Sequence, residues 1–345
     1  MSEGIEMKKD NLQFEGRIME KEGIFYLSYT NSSVSFLAKG SGVYMEFVTD
    51  QREAVNFAGL RVYVDGVPFG AVVLDQTKKL YKMCSLPDKK PHHIKVIKIT
   101  EAAMSQAGLC DILIKDGKLL EETPPADERV KVEFIGDSIT CGYGVLGAPD
   151  SEYDIREEDG ERSYGAFMAR EMNWNARYIS ASGYGMFVEY TGNPENNVPK
   201  LYPYINWFAD REKKIEPGEF EPAFIIVNLG TNDSGFLGEK RMQERFVSAY
   251  VSFLKLLKGY HPDAGIICVL GTLCTNGFVF VKEAVTLALS AGLKDIYALE
   301  LPYHDVEKDG MASGHPSVAT HKKDAARILD FMAEQGMIST SQPAG

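Results

Sequence analysis

Four short segments of this 345-residue chain carry residue types that together could move an acyl group onto and off a serine. The first is Gly136-Asp137-Ser138-Ile139-Thr140, directly after the apolar run Val130 to Ile135. A serine at a tight strand-to-helix turn is exposed, and its own N–H points where an oxyanion would form. The second is Ser180-Ala181-Ser182-Gly183-Tyr184-Gly185, where a glycine lets a backbone N–H approach a ligand. The third is Asn228-Leu229-Gly230-Thr231-Asn232-Asp233, in which the Asn232 amide could donate to the same oxyanion. The fourth is Ser313-Gly314-His315-Pro316-Ser317, a histidine held by a following proline and so a positioned base. A serine hydroxyl is inert at neutral pH until such a base takes its proton, and the tetrahedral anion needs several preorganised donors.

Each segment also has a plainer reading. Asp and Ser are favoured helix N-caps, so Ser138 alone is ambiguous. Gly183 could serve an ordinary turn, Asn232 could satisfy local backbone, and His315 could be a surface histidine. The other five histidines, His92, His93, His261, His304 and His321, read as structural or surface residues.

Two kinds of periodicity position these segments. In the first third, Phe25, Leu27 and Tyr29, then Val43, Met45 and Phe47, then Val62 and Val64 alternate with other residues. Asp65-Gly66 and Asp116-Gly117 are hairpin turn signals, and His93 to Ile99 reads as a further strand. Many short strands without a long amphipathic helix predict an all-β sandwich or jelly roll. Glu121-Glu122-Thr123-Pro124-Pro125-Ala126-Asp127-Glu128 has a linker composition, placing a boundary there, with domains over 1–125 and 126–345. Beyond it, Val130 to Ile135, Tyr178-Ile179, Phe224 to Leu229 and Ile266 to Leu270 read as buried strands. Met242, Phe246, Ala249, Phe253 and Leu257 predict a helix stopped by Gly259, and Ala325, Ile328, Leu329 and Met332 share one face of a last helix. Strands separated by helices predict a parallel sheet with helices on both faces, which binds ligands outside the carboxyl ends of its strands.

Composition narrows the partners. Hydrophobic residues make up 44% and charged residues 25%, ordinary for a globular chain. A formal net charge of -12 argues against nucleic acid and anionic membrane, because no basic stripe exists to displace counterions. No run of about 18 apolar residues predicts a membrane span. The five cysteines show no metal or redox spacing, and Cys110, Cys268 and Cys274 read as small core residues. Met1 to Asp10 is polar, without the apolar stretch of a signal peptide. A cytoplasmic location is therefore expected.

The four segments, in this order, resemble the blocks of the SGNH (GDSL-type) hydrolase family: Gly-Asp-Ser, a glycine, Gly-x-Asn-Asp, and His-Pro, spanning 136–316. A jelly-roll module followed directly by such a domain resembles carbohydrate esterase family two, whose members deacetylate plant polysaccharides. The resemblance implies that Ser138 is the nucleophile and His315 the base. It implies an oxyanion hole formed by the Ser138 and Gly183 amides and the Asn232 side chain. It implies an acetylated oligo- or polysaccharide substrate and no metal or cofactor. The chain departs from the family at one point. The wider family places an Asp three residues before the His and the esterase branch often two before, where Ala312 and Ser313 stand here. A backbone carbonyl of this loop is the preferred acceptor for the second ring nitrogen, with Asp309 as the alternative orienting acid. The branch's aromatic before the His is Gly314 here, so Tyr143, Tyr184, Trp207 and Phe236 are the remaining candidates for sugar stacking.

Two further patterns carry less. Gly142-Tyr143-Gly144-Val145-Leu146-Gly147 matches a dinucleotide glycine pattern, but Gly136 to Cys141 separate it from the strand and Pro149 follows closely. Glu157-Glu158-Asp159-Gly160-Glu161 reads as a solvated loop without the ligand alternation of a calcium site. Two other functions stay open: a lipase or thioesterase on the same fold, and a carbohydrate-binding protein without catalysis.

Overall fold

A computed structural model describes residues 11–50, 56–121, 127–149 and 151–339. The expected linker lies mostly outside these residues, as does the polar N-terminal decapeptide. The chain divides into two compact units.

The first unit is an all-β sandwich. One sheet orders the strands Gln13–Glu15, Ser33–Lys39, His92–Lys98, Ala58–Val64 and Val67–Leu74, with Lys118–Leu119 paired to Ser33–Lys39. The other orders Ile18–Lys21, Ile24–Leu27, Ala107–Lys115, Gly42–Val48 and Lys78–Ser85. All pairings are antiparallel. Alternation does the work: Val43, Met45 and Phe47 turn inward against Leu60, Val62, Ile94 and Val96, forming one shared core. Asp65 and Gly66 adopt φ of 52° and 77° and make the tight turn expected between two paired strands. Asp116-Gly117 differs from expectation. The strand after it pairs across to the other sheet, and a side chain at Gly117 would lie 1.8 Å from the Lys39 carbonyl oxygen. Residues 204–213, far along the chain, also belong to this unit. There Asn206 Nδ2 donates to Ser28 Oγ at 2.6 Å and Gln106 Oε1 at 2.8 Å.

The second unit is an α/β layer structure. Its all-parallel sheet has the spatial order Asn175–Ser180, Lys131–Gly136, Phe224–Asn228, Gly265–Thr272 and Ile296–Tyr303. Val132, Phe134, Ile226, Ile267 and Val269 bury one face against Met168, Ala325, Ile328 and Met332 of the helices Tyr164–Glu171 and Val318–Glu334. The first strand lies between the second and third, which makes their carboxyl ends a topological switch point. The helix Lys240–Tyr260 runs through Gly259 instead of stopping there. His261 leaves the helix with φ -135° and ψ 72° because Pro262 follows it. The strand Ile296–Tyr303 and the helix Phe278–Ser290 had no sequence expectation. Cys268 is buried as expected, but Cys110 and Cys274 are only half-buried. Cys110 sits where the strand register slips between Leu109 and Asp111, so it leaves the core alternation.

Candidate active site

The site begins at the end of the first parallel strand. Gly136 is required there, because a Cβ would fall 2.0 Å from Thr140 Oγ1. Asp137 is the N-cap of the one-turn helix Ser138–Cys141, its carboxylate accepting from Ile139 N at 3.0 Å. The capping role thus falls to Asp137, and the Ser138 hydroxyl is free for another partner. That partner is His315, whose Nε2 lies 2.9 Å from Ser138 Oγ. His315 Nδ1 lies 3.2 Å from the Ser313 carbonyl oxygen. A carbonyl only accepts, so Nδ1 carries the proton and Nε2 presents its lone pair to the serine. Burial lowers the His315 pKa, and the Ser313 carbonyl partly opposes the shift, so the imidazole is neutral at pH 7.

Asp309 stands elsewhere. Its carboxylate oxygens take Lys323 Nζ at 2.5 and 2.7 Å, and the structure does not bring them to His315. The cause is local: Asp309 ends the short helix Val306–Asp309, and Gly310 turns the chain away with φ 74°.

Gly183 follows the second strand with φ 79°, a conformation that favours glycine. Asn232 follows the third, with Nδ2 3.0 Å from the Tyr184 carbonyl oxygen and 3.3 Å from Asp137 Oδ2. Asp137 therefore ties the serine turn to Asn232, and the Tyr184 carbonyl ties Asn232 to the Gly183 loop. Asp233 extends this frame. It accepts from the backbone N–H groups of Met186, Phe187 and Val188 at 2.8, 2.9 and 3.3 Å. Burial pushes its carboxyl up to about 6 despite those donors. Behind His315, the buried His321 accepts from Tyr164 N at 3.2 Å, and burial followed by the neighbouring His315 pushes it down to about 3. It stays neutral and adds no competing charge.

The aromatic candidates divide. The Tyr143 ring is engaged by protein, stacked on Tyr153 with centroids 3.8 Å apart and 4.5 Å from the His315 ring. Trp207 is buried under the Arg211 guanidinium. Phe236 packs beside Gly192, and Tyr184 is half-buried. The sequence reading missed Tyr190, which is 69% exposed, with its ring over Gly183 and its N–H on the Gly183 carbonyl oxygen. An aromatic seven residues after a candidate oxyanion glycine was the available signal. The acidic segment also differs from a solvated loop. Glu158, Asp159 and Glu161 are buried, Glu158 accepting from Tyr153 Oη at 2.6 Å and Asp159 capping Glu161 N at 3.1 Å.

Residues 134–323 match the GDSL-like lipase/acylhydrolase family. The chain belongs to that family. Its residues 14–124 match the carbohydrate esterase 2 N-terminal domain, so both parts of this GDSL-like chain have relatives. A cellulase/esterase of Acetivibrio thermocellus is 30% identical over 302 residues, 84% of this chain. The chain spans only 36% of that relative's length. A family two carbohydrate esterase from Clostridium thermocellum, solved in complex with cellohexaose, superposes with a TM-score of 0.84 at 28% identity, covering 95% of this chain and 100% of that one. An acetyl xylan esterase from Butyrivibrio proteoclasticus shares the fold, with a TM-score of 0.84 at 21% identity over 96% and 97% of the two chains.

Proposed function

We propose that this chain is a serine esterase that removes acetyl groups from carbohydrate hydroxyls. The observation that carries the proposal is the hydrogen-bonded pair at the switch point, with His315 Nε2 2.9 Å from Ser138 Oγ. The names of the relatives, a cellulase/esterase and a carbohydrate esterase solved with cellohexaose, support the substrate class.

In this proposal His315 takes the Ser138 proton as Oγ attacks the ester carbonyl carbon. The carbonyl oxygen becomes an anion, which accepts hydrogen bonds from the N–H groups of Ser138 and Gly183 and from Asn232 Nδ2. The C–O bond to the sugar breaks, and the imidazolium returns its proton to the departing alkoxide. Water then gives one proton to His315 and attacks the acetyl-serine carbonyl. As the bond to Ser138 Oγ breaks, His315 returns that proton to Oγ, and acetic acid leaves and ionises to acetate. The Ser313 carbonyl keeps the tautomer correct throughout but stabilises imidazolium less than a carboxylate would.

The test has two arms. Hydrolysis of 4-nitrophenyl acetate is expected from the full chain and lost in Ser138→Ala. Acetate release is then expected from acetylated xylo-, manno- or gluco-oligosaccharides. No turnover of any ester by folded protein overturns catalysis and leaves carbohydrate binding alone. Preference for long acyl chains over acetate overturns the substrate assignment.

A further inference from the structure

The carbonyl that holds His315 belongs to a residue in an unfavourable conformation. Ser313 has φ 45°, in the left-handed region that costs a non-glycine residue about 1 kcal/mol or more. A second set of contacts holds it there. Ser313 N donates to the Ala148 carbonyl oxygen at 2.9 Å, and Ser313 Oγ donates to Glu157 Oε2 at 2.8 Å. Ser151 Oγ lies 2.9 Å from Ser313 Oγ and 3.3 Å from the same Glu157 oxygen. The glycine pattern that resembled a nucleotide loop closes against this pair. A Cβ on Gly147 would sit 2.0 Å from Ser313 Oγ and 2.5 Å from Glu157 Oε2. A Cβ on Gly144, itself at φ 61°, would sit 2.7 Å from Ser313 Cβ.

We propose that Glu157 is a positioning residue for His315, acting through Ser313. Its carboxylate never touches the imidazole. It grips the Ser313 hydroxyl, holds that residue at positive φ, and so aims the Ser313 carbonyl at Nδ1. A carboxylate that elsewhere in the family orients the histidine directly is replaced by one acting at one remove. The Gly142–Gly147 loop supplies the close approach this requires. Without Glu157, Ser313 relaxes toward negative φ, its carbonyl leaves Nδ1, and the neutral imidazole loses the bias that presents Nε2 to Ser138.

This rests on the esterase proposal, and the experiment separates the two. Steady-state kinetics and pH profiles with 4-nitrophenyl acetate compare the full-length wild type with Glu157→Ala, Glu157→Gln and Ser313→Ala. A positioned base supplies roughly 10²–10⁴-fold, so Glu157→Ala is expected to lower kcat by about 10–10²-fold. KM stays within about twofold, since no substrate contact is lost. The Ser313 carbonyl raises the His315 pKa, so the acid limb of kcat/KM moves to lower pH when it departs. Glu157→Gln keeps an acceptor oxygen and recovers most of the loss. The Glu157→Ala, Ser313→Ala double variant is no slower than the slower single variant, because the pair acts as a unit. The His315 ring ¹H–¹⁵N NMR signals report the Nδ1–H tautomer without any turnover. Wild type inactive on every ester overturns the esterase proposal alone. A Glu157→Ala protein that keeps wild-type kcat, acid limb and Nδ1–H signal overturns the positioning role, as does Glu157→Gln falling as far as Glu157→Ala.

Discussion

Protonation at His315 sets the working pH range. A base is useful only when unprotonated, and burial holds this one below the usual histidine value near 6.5. The kcat/KM profile is expected to rise with pH, with the midpoint of its acid limb below pH 6.5. An acid limb at or above the ordinary histidine value would contradict a buried, carbonyl-held base. Asn232 has the opposite kind of role, fixed and uncharged. Its Nδ2 donates to the Tyr184 carbonyl at 3.0 Å and to Asp137 at 3.3 Å before any substrate arrives, so the longer bond, to Asp137, is the one that gives way when charge develops on the oxyanion. Asn232→Ala should cost on the order of 10²–10³ in kcat, the usual cost of one oxyanion donor. A change confined to KM would assign Asn232 to binding alone. Tyr190 presents the exposed ring nearest the candidate oxyanion glycine. Tyr190→Ala should raise KM for acetylated oligosaccharides several-fold while sparing 4-nitrophenyl acetate, because stacking to a ring contributes roughly 0.5–1.5 kcal/mol. Equal losses on both substrates would make Tyr190 a structural support of Gly183 instead.

At the scale of elements, the fourth strand is tied to the last helix by a buried polar contact. Thr272 has φ 65°, rare for a β-branched residue, and its Oγ1 donates to Asp324 Oδ2 at 2.8 Å. Burial pushes the Asp324 carboxyl up to about 7, with the Thr272 hydrogen bond opposing. A carboxyl whose folded pKa lies above its unfolded value holds an extra proton in the folded state. Its stabilising share is therefore present below pH 4 and falls as pH rises toward 7. Asp233, raised to about 6, adds to the same trend. His321 and His315, whose pKa values burial lowers, act in the opposite direction up to about pH 6.5, so the expected signature is a difference. Asp324→Asn should gain in melting temperature relative to wild type between pH 5 and pH 8, by a few degrees, on the order of 5 °C. An unchanged pH dependence in Asp324→Asn would mean that the carboxyl is ionised in the fold across this range.

Over the whole molecule, the β unit is completed by residues 204–213, which the chain reaches only after two parallel strands have been laid down. Asn206 is buried and joins Ser28 to Gln106, while Asp210 pairs with Lys21 at 3.6 Å. Leaving the buried polar groups of Asn206, Ser28 and Gln106 unpaired costs about 1–3 kcal/mol each. A chain cut to residues 129–345 should therefore be aggregation-prone or show a red-shifted Trp207 emission, since Trp207 is buried within the β unit. A soluble fragment with unshifted emission and full activity on sugar acetates would show that the second unit needs nothing from the first.

Short-range pattern encodes the elements and the strand-end residues. Alternation such as Val43, Met45 and Phe47 sets a two-faced strand, and apolar runs such as Val130 to Ile135 set buried parallel strands, so both fold classes were legible. Ser138, Gly183 and Asn232 could be picked out because each follows a strand end, and His315 because a proline fixes it. Tertiary structure decided which acceptor holds His315. Ser313 and Glu157 are 156 positions apart, and no local rule couples them. It also turned an acidic run into buried caps and acceptors, and gave a nucleotide-like glycine loop the task of packing against Ser313. Such contacts depend on how distant segments meet, on the space a missing Cβ leaves, and on which polar groups burial forces to pair. Those quantities exist only once the chain has closed on itself.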